Sequence, residues 1–327
     1  MTAIPHFSPE AFASNEAATR HFGFLVVPNF SMMCFSCALE PLRQANRLAG
    51  RPLYRLSILT PENKTAVASC GLPVSPDLDL DAEDRFDTII VSAGILPDTY
   101  DNPHVCAWLR KHARRGARIG AVSTGSIVLA SAGLLAGRRA TVHWESLDSF
   151  VERYTDVEVS SALWEVDRDR FTCAGGIAVV DMMHELIERD WGAELAGAVS
   201  DQFMHQAIRH HDDPQRLALR QRLGVTHERL LKVIELMEAN LEEPLPREEL
   251  AKTAGVSVRQ VERLFRAYLG RTLGEHYLDL RLQRARHLLR QTSQSVMKVA
   301  VACGFVSASH FSRAYRQRFG TPPRADR

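Results

Sequence analysis

Hydrophobic and polar positions follow two different rhythms along the 327-residue chain. In the first two thirds, short apolar runs at His21–Val27, Tyr54–Thr60, Thr88–Ser92 (TIIVS) and Arg118–Val122 are separated by stretches with a helical repeat. Those stretches are Ser31–Leu48, Pro103–Arg115 and Ile127–Leu135. Buried strands alternating with helices predict a parallel sheet covered on both faces. Short strands near Val67 and Val74 form an excursion. Leu163–Asp167 and Arg170–Cys173 predict a hairpin turning at Arg168-Asp169. Long helices follow over Ile177–Trp191 and from Ala193 to about His210. Residues 1–20, small and polar with Pro5 and Pro9, predict a flexible tail.

In the last third only the helical rhythm remains. Within Cys303–Gly320, Phe311, Tyr315 and Phe319 recur every four residues and predict one buried face. Ala308, Ser309, His310, Ser312, Arg313 and Arg316 fall elsewhere, Ser307 opens the helix, and a short helix at Val296–Ala302 precedes the Gly304 turn. Helix, glycine turn, and a second helix with outward polar and basic residues make a helix-turn-helix DNA reader. The same pattern occurs upstream. Glu248–Ala254 is a short helix, Gly255-Val256 the turn and Ser257 a cap. In the helix Val258–Leu269, Val261, Leu264, Phe265 and Tyr268 face inward and Arg259, Gln260, Glu262 and Arg263 outward. The turn glycines lie 49 residues apart and the capping serines 50. Between the motifs, His276–Arg290 predicts one helix of about 22 Å. Such a rod lets two readers enter successive major grooves, one helical turn of roughly 34 Å apart.

On these residues the region resembles the DNA-binding domain of AraC/XylS transcription regulators. The matches include Ala254-Gly255-Val256-Ser257, Leu264-Phe265, Arg281-Leu282, Cys303-Gly304-Phe305, Phe311-Ser312-Arg313, Phe319-Gly320 and Pro323. The resemblance implies an all-α double helix-turn-helix domain over 225–327, with Ser257, Arg259, Gln260, Glu262, Arg263, Ala308, Ser309, His310, Ser312 and Arg313 touching double-stranded promoter DNA. One departure is Asp326, where the family more often carries an aromatic. It bears on how the tail packs and not on the fold.

Charge sharpens this division. From Gln221 onward there are 19 Lys and Arg against 11 Asp and Glu, net +8; the remainder holds 21 against 28, net −7. A basic carboxyl-terminal domain supplies the attraction to phosphate that dominates DNA affinity. No run of about 18 apolar residues predicts a membrane span, and the amino terminus lacks a signal-peptide pattern. Six scattered cysteines suit a reducing cytoplasm. Cys34 and Cys37 form a CxxC without a second pair, so small helix residues rather than metal ligands are expected, and no metal or cofactor is called for.

The strand Arg118–Val122 runs directly into Ser123-Thr124-Gly125-Ser126, the geometry of a nucleophile elbow at a helix start. This half of the chain resembles the PfpI/ThiJ group of the glutamine-amidotransferase-like fold, and within it the GlxA-like regulators fused to AraC-type domains. Pro28-Asn29-Phe30-Ser31, Glu40-Pro41-Leu42-Arg43, Ser123-Thr124-Gly125, Gly137-Arg138-Arg139-Ala140-Thr141, His143-Trp144 and Cys173-Ala174-Gly175-Gly176 carry the likeness. It implies a flavodoxin-like three-layer α/β sandwich over 21–208, joined by a linker at 209–224. In the enzymes of the group the elbow is a cysteine paired with an acid from the first helix. Here those positions hold Ser123 and Cys34, which argues against catalysis. A Ser123–His143 pair with Glu145 or Asp148 as orienter would be needed for hydrolysis; an active amidase or hydratase is the alternative function. The linker cluster His210-His211-Asp212-Asp213-Pro214 reads as a solvated hinge.

Ligands in open α/β sheets sit beyond the carboxyl ends of the strands. Asn29, Cys34, Gly94, Ile95, Ser123, Thr124, His143 and Trp144 are therefore the candidate pocket residues, with Leu96 beside them. The expectation is a homodimeric, cytoplasmic activator of metabolic genes controlled by a small metabolite. Regulators of this fused type suggest an amino acid or a methylated amine such as betaine or carnitine. Its cation would lie over Trp144 and its carboxylate at the start of the elbow helix.

Overall fold

The computed structural model describes residues 19–326, apart from 83, 96–99, 101, 206, 217, 218 and 293. The tail expected over residues 1–20 lies outside the described residues except for Thr19 and Arg20, and so does Leu96. The chain divides between Gln215 and Arg216 into two units.

In the first unit, β1 (Arg20–Val26), α1 (Met32–Ala49), β2 (Tyr54–Leu59), β3 (Ala66–Val67), β4 (Pro73–Val74), β5 (Thr88–Ser92), α2 (Pro103–Arg114), β6 (Arg118–Val122) and α3 (Gly125–Ser131) follow in turn. After them come β7 (Arg139–Thr141), α4 (Leu147–Arg153), β8 (Glu158–Ser160), β9 (Trp164–Asp167), β10 (Arg170–Cys173), α5 (Ala178–Trp191) and α6 (Ala193–Gln202). The main sheet has the order β2-β1-β5-β6-β10-β9. It is parallel except for β10 and β9, which form the expected hairpin. Without that edge strand the order is that of flavodoxin-like folds.

The strands are apolar on both faces because both are covered. Phe35, Ala38 and Leu42 of α1 and Met182, Met183 and Leu186 of α5 close one face. Val105, Trp108 and Leu109 of α2, Ile127–Leu129 of α3 and Phe150 of α4 close the other. The three-layer sandwich is thus built as its sequence pattern predicts.

The helix expected to reach His210 stops at Gln202. Met204 takes a left-handed φ of 54°, and the following residues are drawn to a buried acid. Asp181 of α5 is fully buried; its carboxylate meets His205 Nε2 at 2.6 Å and accepts from Arg209 N, Nε and Nη2 at 3.1, 2.9 and 2.7 Å. Leu163 N donates to His211 O, and Gln215 Nε2 reaches Thr141 Oγ1, Val142 O and Ala162 O. The first half of the expected hinge is therefore a strap bonded to the α/β unit; of its charged cluster, His210 and Asp212 are exposed and paired with each other.

The second unit contains α7 (Leu219–Leu223), α8 (Glu228–Ala239), α9 (Arg247–Thr253), α10 (Val258–Leu269), α11 (Leu273–Gln291), α12 (Val296–Ala302) and α13 (Ala308–Phe319). It has two cores strung on α11. Leu273 and Tyr277 join the α8–α10 core, and Leu282, Ala285, Leu288 and Leu289 join that of α12 and α13. A capping box between Thr272 and Glu275 starts α11 earlier than expected. Its 19 residues span about 28 Å at 1.5 Å each. Tyr268, expected inside, is 49% exposed because only Val261 and Phe265 of α10 are fully covered; its ring meets His227. Gly304 (φ 73°) needs to be glycine twice over, since a Cβ there would come within 2.8 Å of Leu241 O and Glu242 O.

Candidate functional site

The two outward helices of the second unit are built alike. Ser257 caps α10 by accepting from Gln260 N, and Gln260 Oε1 accepts in return from Ser257 N and Oγ at 2.9 and 3.1 Å. Ser307 caps α13 by accepting from His310 N, and its hydroxyl pairs with that of Ser309. Glycines in the left-handed region close both helices, Gly270 at φ 64° and Gly320 at φ 76°.

Arg259, Arg263 and Arg266 are exposed at spacings that share one face of α10, and Ser309, Arg313 and Arg316 repeat those spacings on α13. Each pair is separated by the same 50 residues. Arg266 was missed by sequence reasoning, although the i, i+4, i+7 rule reaches it. Ala308 and His310 are exposed and Ser312 is half-buried. Glu262 is a correction. Its carboxylate accepts from Leu273 N at 3.4 Å and lies 3.5 Å from Arg247, so it serves the start of α11 rather than facing outward with the arginines.

In the first unit, Ser123 has the left-handed φ of an elbow, 60°. Its N–H donates to Cys173 O. Gly125 follows where a Cβ would lie 2.4 Å from Val91 O. Thr124 Oγ1 donates to Gly94 O and Ser126 Oγ to Thr141 O, so both hydroxyls serve the fold. Cys34 lies beside the elbow, and its sulfur accepts from Gly176 N at 3.2 Å. A Cβ on Gly175 (φ 107°) would sit 3.1 Å from Ser123 and 3.2 Å from that sulfur. Burial pushes the thiol of Cys173 far up and, to a lesser degree, that of Cys37, so neither is a thiolate at neutral pH.

The Gly175-Gly176 turn also lines a cavity of about 210 Å³. His143, Trp144, Ile177, Arg209 and Gln215 contribute to its wall. Of the eight expected pocket residues, His143 and Trp144 are therefore brought together there. Ser123 and Cys34 are buried against Gly175 and Gly176 and do not line the cavity. Thr124 is bonded to Gly94, while Asn29 accepts from Ile95 N at the ends of β1 and β5, leaving Ile95 61% exposed.

The strap residues were missed because they lie in a polar connector. Arg209 donates from both Nε and Nη2 to Asp181 Oδ2, which fixes its guanidinium at the wall. Gln215 has its nitrogen fully engaged, while its Oε1 is buried without a hydrogen-bond partner among the described residues. The cavity wall thus carries the Trp144 indole and the Arg209 guanidinium, the latter already paired with Asp181.

Hydrolysis is poorly served. His143 Nδ1 accepts a long bond from Glu145 N, 3.4 Å, with the Glu145 carboxylate 3.9 Å away. At 3.9 Å the Glu145 carboxylate is beyond hydrogen-bond reach of the ring. Asp148 is exposed on α4.

The chain matches the DJ-1/PfpI family over residues 38–189 and the helix-turn-helix domain family over residues 250–327. It is 46% identical to the HTH-type transcriptional regulator GbdR of Pseudomonas aeruginosa over 306 residues, 93% of this chain and 83% of that one. It is 46% identical to CdhR of the same organism, covering 94% and 92%. To GlxA of Rhizobium meliloti it is 40% identical, covering 96% and 97%; both relatives are also named HTH-type transcriptional regulators. Among solved structures, an AraC family transcriptional regulator from Pseudomonas putida matches at 25% identity with a TM-score of 0.53, covering 56% of this chain and 99% of that one. A ThiJ/PfpI family protein from Pseudomonas syringae, 18% identical with a TM-score of 0.55 over 77% and 96% of the two chains, shares the fold. Among the described residues no helix is long and apolar enough to cross a membrane.

Proposed function

Since the chain belongs to the family of HTH-type transcriptional regulators that join a DJ-1/PfpI domain to an AraC-type DNA-binding domain, we propose that its 210 Å³ cavity binds the small effector that controls it. The protein is a DNA-binding regulator and not an enzyme: its relatives along most of the chain are named as regulators. The observation that carries the effector reading is the origin of the cavity wall. Arg209 and Gln215 come from the last segment of the α/β unit before the DNA-binding unit begins at Arg216. An effector there touches the connector itself, so occupancy is coupled to the segment that leads to the DNA reader.

The chemistry of the wall favours a zwitterion. Arg209 suits a carboxylate, and the Trp144 face suits an ammonium, worth about 0.5–2 kcal/mol depending on desolvation. The start of the elbow helix, first expected to take the carboxylate, is buried and bonded within the fold, so Arg209 replaces it in this reading. Amino acids and methylated amines such as betaine or carnitine are the effector class, acting on a cytoplasmic homodimer that activates metabolic genes. On the DNA side, Arg259, Arg263 and Arg266 on α10 and Ser309, His310, Arg313 and Arg316 on α13 face the duplex, with Ser257, Gln260, Ala308 and Ser312 framing the two helix starts.

A thermal-shift screen of the full chain tests the effector. Zwitterionic amines should raise the melting temperature of wild type, and the shift should be lost in Trp144→Ala and weakened in Arg209→Lys. Stabilisation by neutral or purely anionic compounds alone would overturn the zwitterion reading.

A further inference from the structure

The two DNA-reading helices belong to separate cores, and among the described residues no buried residue is shared between those cores. Each head therefore folds around its own apolar cluster, and their mutual placement rests on what joins them along α11. One carboxylate does so at both ends. Asp279, on α11, is only 8% exposed. Its Oδ2 accepts from Arg271 Nη1 at 2.8 Å and from Gln283 Nε2 at 3.0 Å. Its Oδ1 accepts from Arg318 Nε. Arg271 follows directly on Gly270, the residue that closes α10, and Arg318 lies in the last turn of α13. The carboxyl ends of both reading helices are thus tied to one acid on the rod between them.

We propose that Asp279 is the positioning residue that fixes the two reading helices relative to each other and so sets the spacing between the two DNA segments the protein recognises. Directional bonds suit this task. An apolar contact tolerates sliding, whereas an acid receiving two guanidinium groups fixes distance and angle together. Burial pushes the Asp279 carboxyl up, but the bonds from Arg318 and Arg271 outweigh it and hold the group below the usual carboxylate range, so it is charged at neutral pH. Two linked heads gain affinity over one through effective concentration, by about 10²–10⁴ when the geometry matches the site. Loosening the tie forfeits part of that gain on a correctly spaced site and relaxes the penalty on a wrongly spaced one.

The proposal rests on reading α10 and α13 as the DNA-facing helices, and the experiment separates the two. Sites are selected from random duplexes with the full-length wild-type protein, and footprinting defines the two contacted segments. Binding at low salt is then measured on the selected site, on a site with either segment scrambled, and on sites with one base pair inserted or removed between the segments. Asp279→Ala and Asp279→Asn should bind the single-segment sites within about two-fold of wild type, lose about ten-fold or more on the intact site, and discriminate less between spacings. Gln283→Ala, which removes a bond within the rod alone, should keep the wild-type spacing profile. An equal loss on single-segment and intact sites would reduce Asp279 to a fold-stabilising residue, and an unchanged spacing profile would overturn the proposal outright. Arg263→Ala and Arg313→Ala, run alongside, should each lose base preference in a different segment. If they do not, the assignment of the reading helices fails, while the spacing profile of the Asp279 variants, read on the footprinted segments, still decides the positioning role.

Discussion

The carboxyl-terminal tail carries an acid where an aromatic is more usual, and the structure gives that acid a definite load. Asp326 accepts from Arg286 Nε at 3.0 Å, Arg290 Nη2 at 2.6 Å and Tyr315 Oη at 2.8 Å. It thereby pins the turn Pro323–Asp326 to α11 and α13. Tyr315 is fully buried, so Asp326→Ala strips its hydroxyl of a charged acceptor, a loss of about 1.5–3 kcal/mol. The two arginine side chains are 36% and 49% exposed and regain water, so their pairs add only about 0.2–1 kcal/mol each. The expected cost is about 2–5 kcal/mol, which for a unit of this size lowers its melting temperature by about 10 °C or more. All four tryptophans lie in the first unit. Tryptophan fluorescence therefore follows the α/β unit while helical circular dichroism follows both, and each variant carries its own control. Asp326→Phe restores an aromatic but leaves the Tyr315 hydroxyl without its acceptor, so it should remain destabilised. A helical transition unchanged in Asp326→Ala, or one that moves together with the tryptophan transition, would refute the clamp.

His276 is 2% exposed, both its ring nitrogens lack hydrogen-bond partners among the described residues, and burial, helped by Arg271, lowers its pKa to about 4. A folded pKa below the unfolded value of 6.5 means that stability is complete above 6.5 and is lost as pH falls. By pH 5 the loss should be about 2 kcal/mol, absent from His276→Phe, as read from denaturant unfolding at pH 7 and pH 5. At the elbow, Ser123→Ala should leave promoter activation in a reporter strain within about three-fold, since its strained turn is held by backbone bonds; a collapse of regulation with effector binding intact would require a covalent step.

Much of this molecule was legible in the sequence because its signals are local. Alternating apolar runs and helical stretches predict the layered sheet, and Ser257 and Ser307 mark the starts of α10 and α13 to the residue. The elbow was visible for the same reason, since strand, small residue and helix are contiguous. What stayed hidden depends on distant partners. Arg209 and Gln215 sit in a connector whose composition reads as solvated, yet they bond to residues 28 and 74 positions away. Glu262 has the spacing of an outward residue and is drawn aside by Leu273 N, a backbone donor freed by the start of the next helix. Tyr268 lies on the apolar stripe of α10, but its partner there is His227 rather than the core.

The parts that sequence pattern misses share a physical device. Asp181, Asp279 and Asp326 each gather donors from segments far apart in the chain: the strap onto α5, the ends of α10 and α13 onto α11, and the tail onto α11 and α13. Hydrophobic burial is non-directional and proportional to area, so it packs each core without fixing how a strap, a head or a tail approaches it. A buried carboxylate is a poor source of net stability, because desolvation offsets much of the attraction, but it penalises every arrangement that leaves it unpaired. If the spacing of α10 and α13 on DNA is set as proposed, that penalty is of use at the joints between them. It follows that neutralising one joint should alter DNA geometry or effector response more than overall stability in the case of Asp279, and stability first in the case of Asp326, whose partners lie within one core. The order of those two effects distinguishes an acid that positions from one that merely clamps.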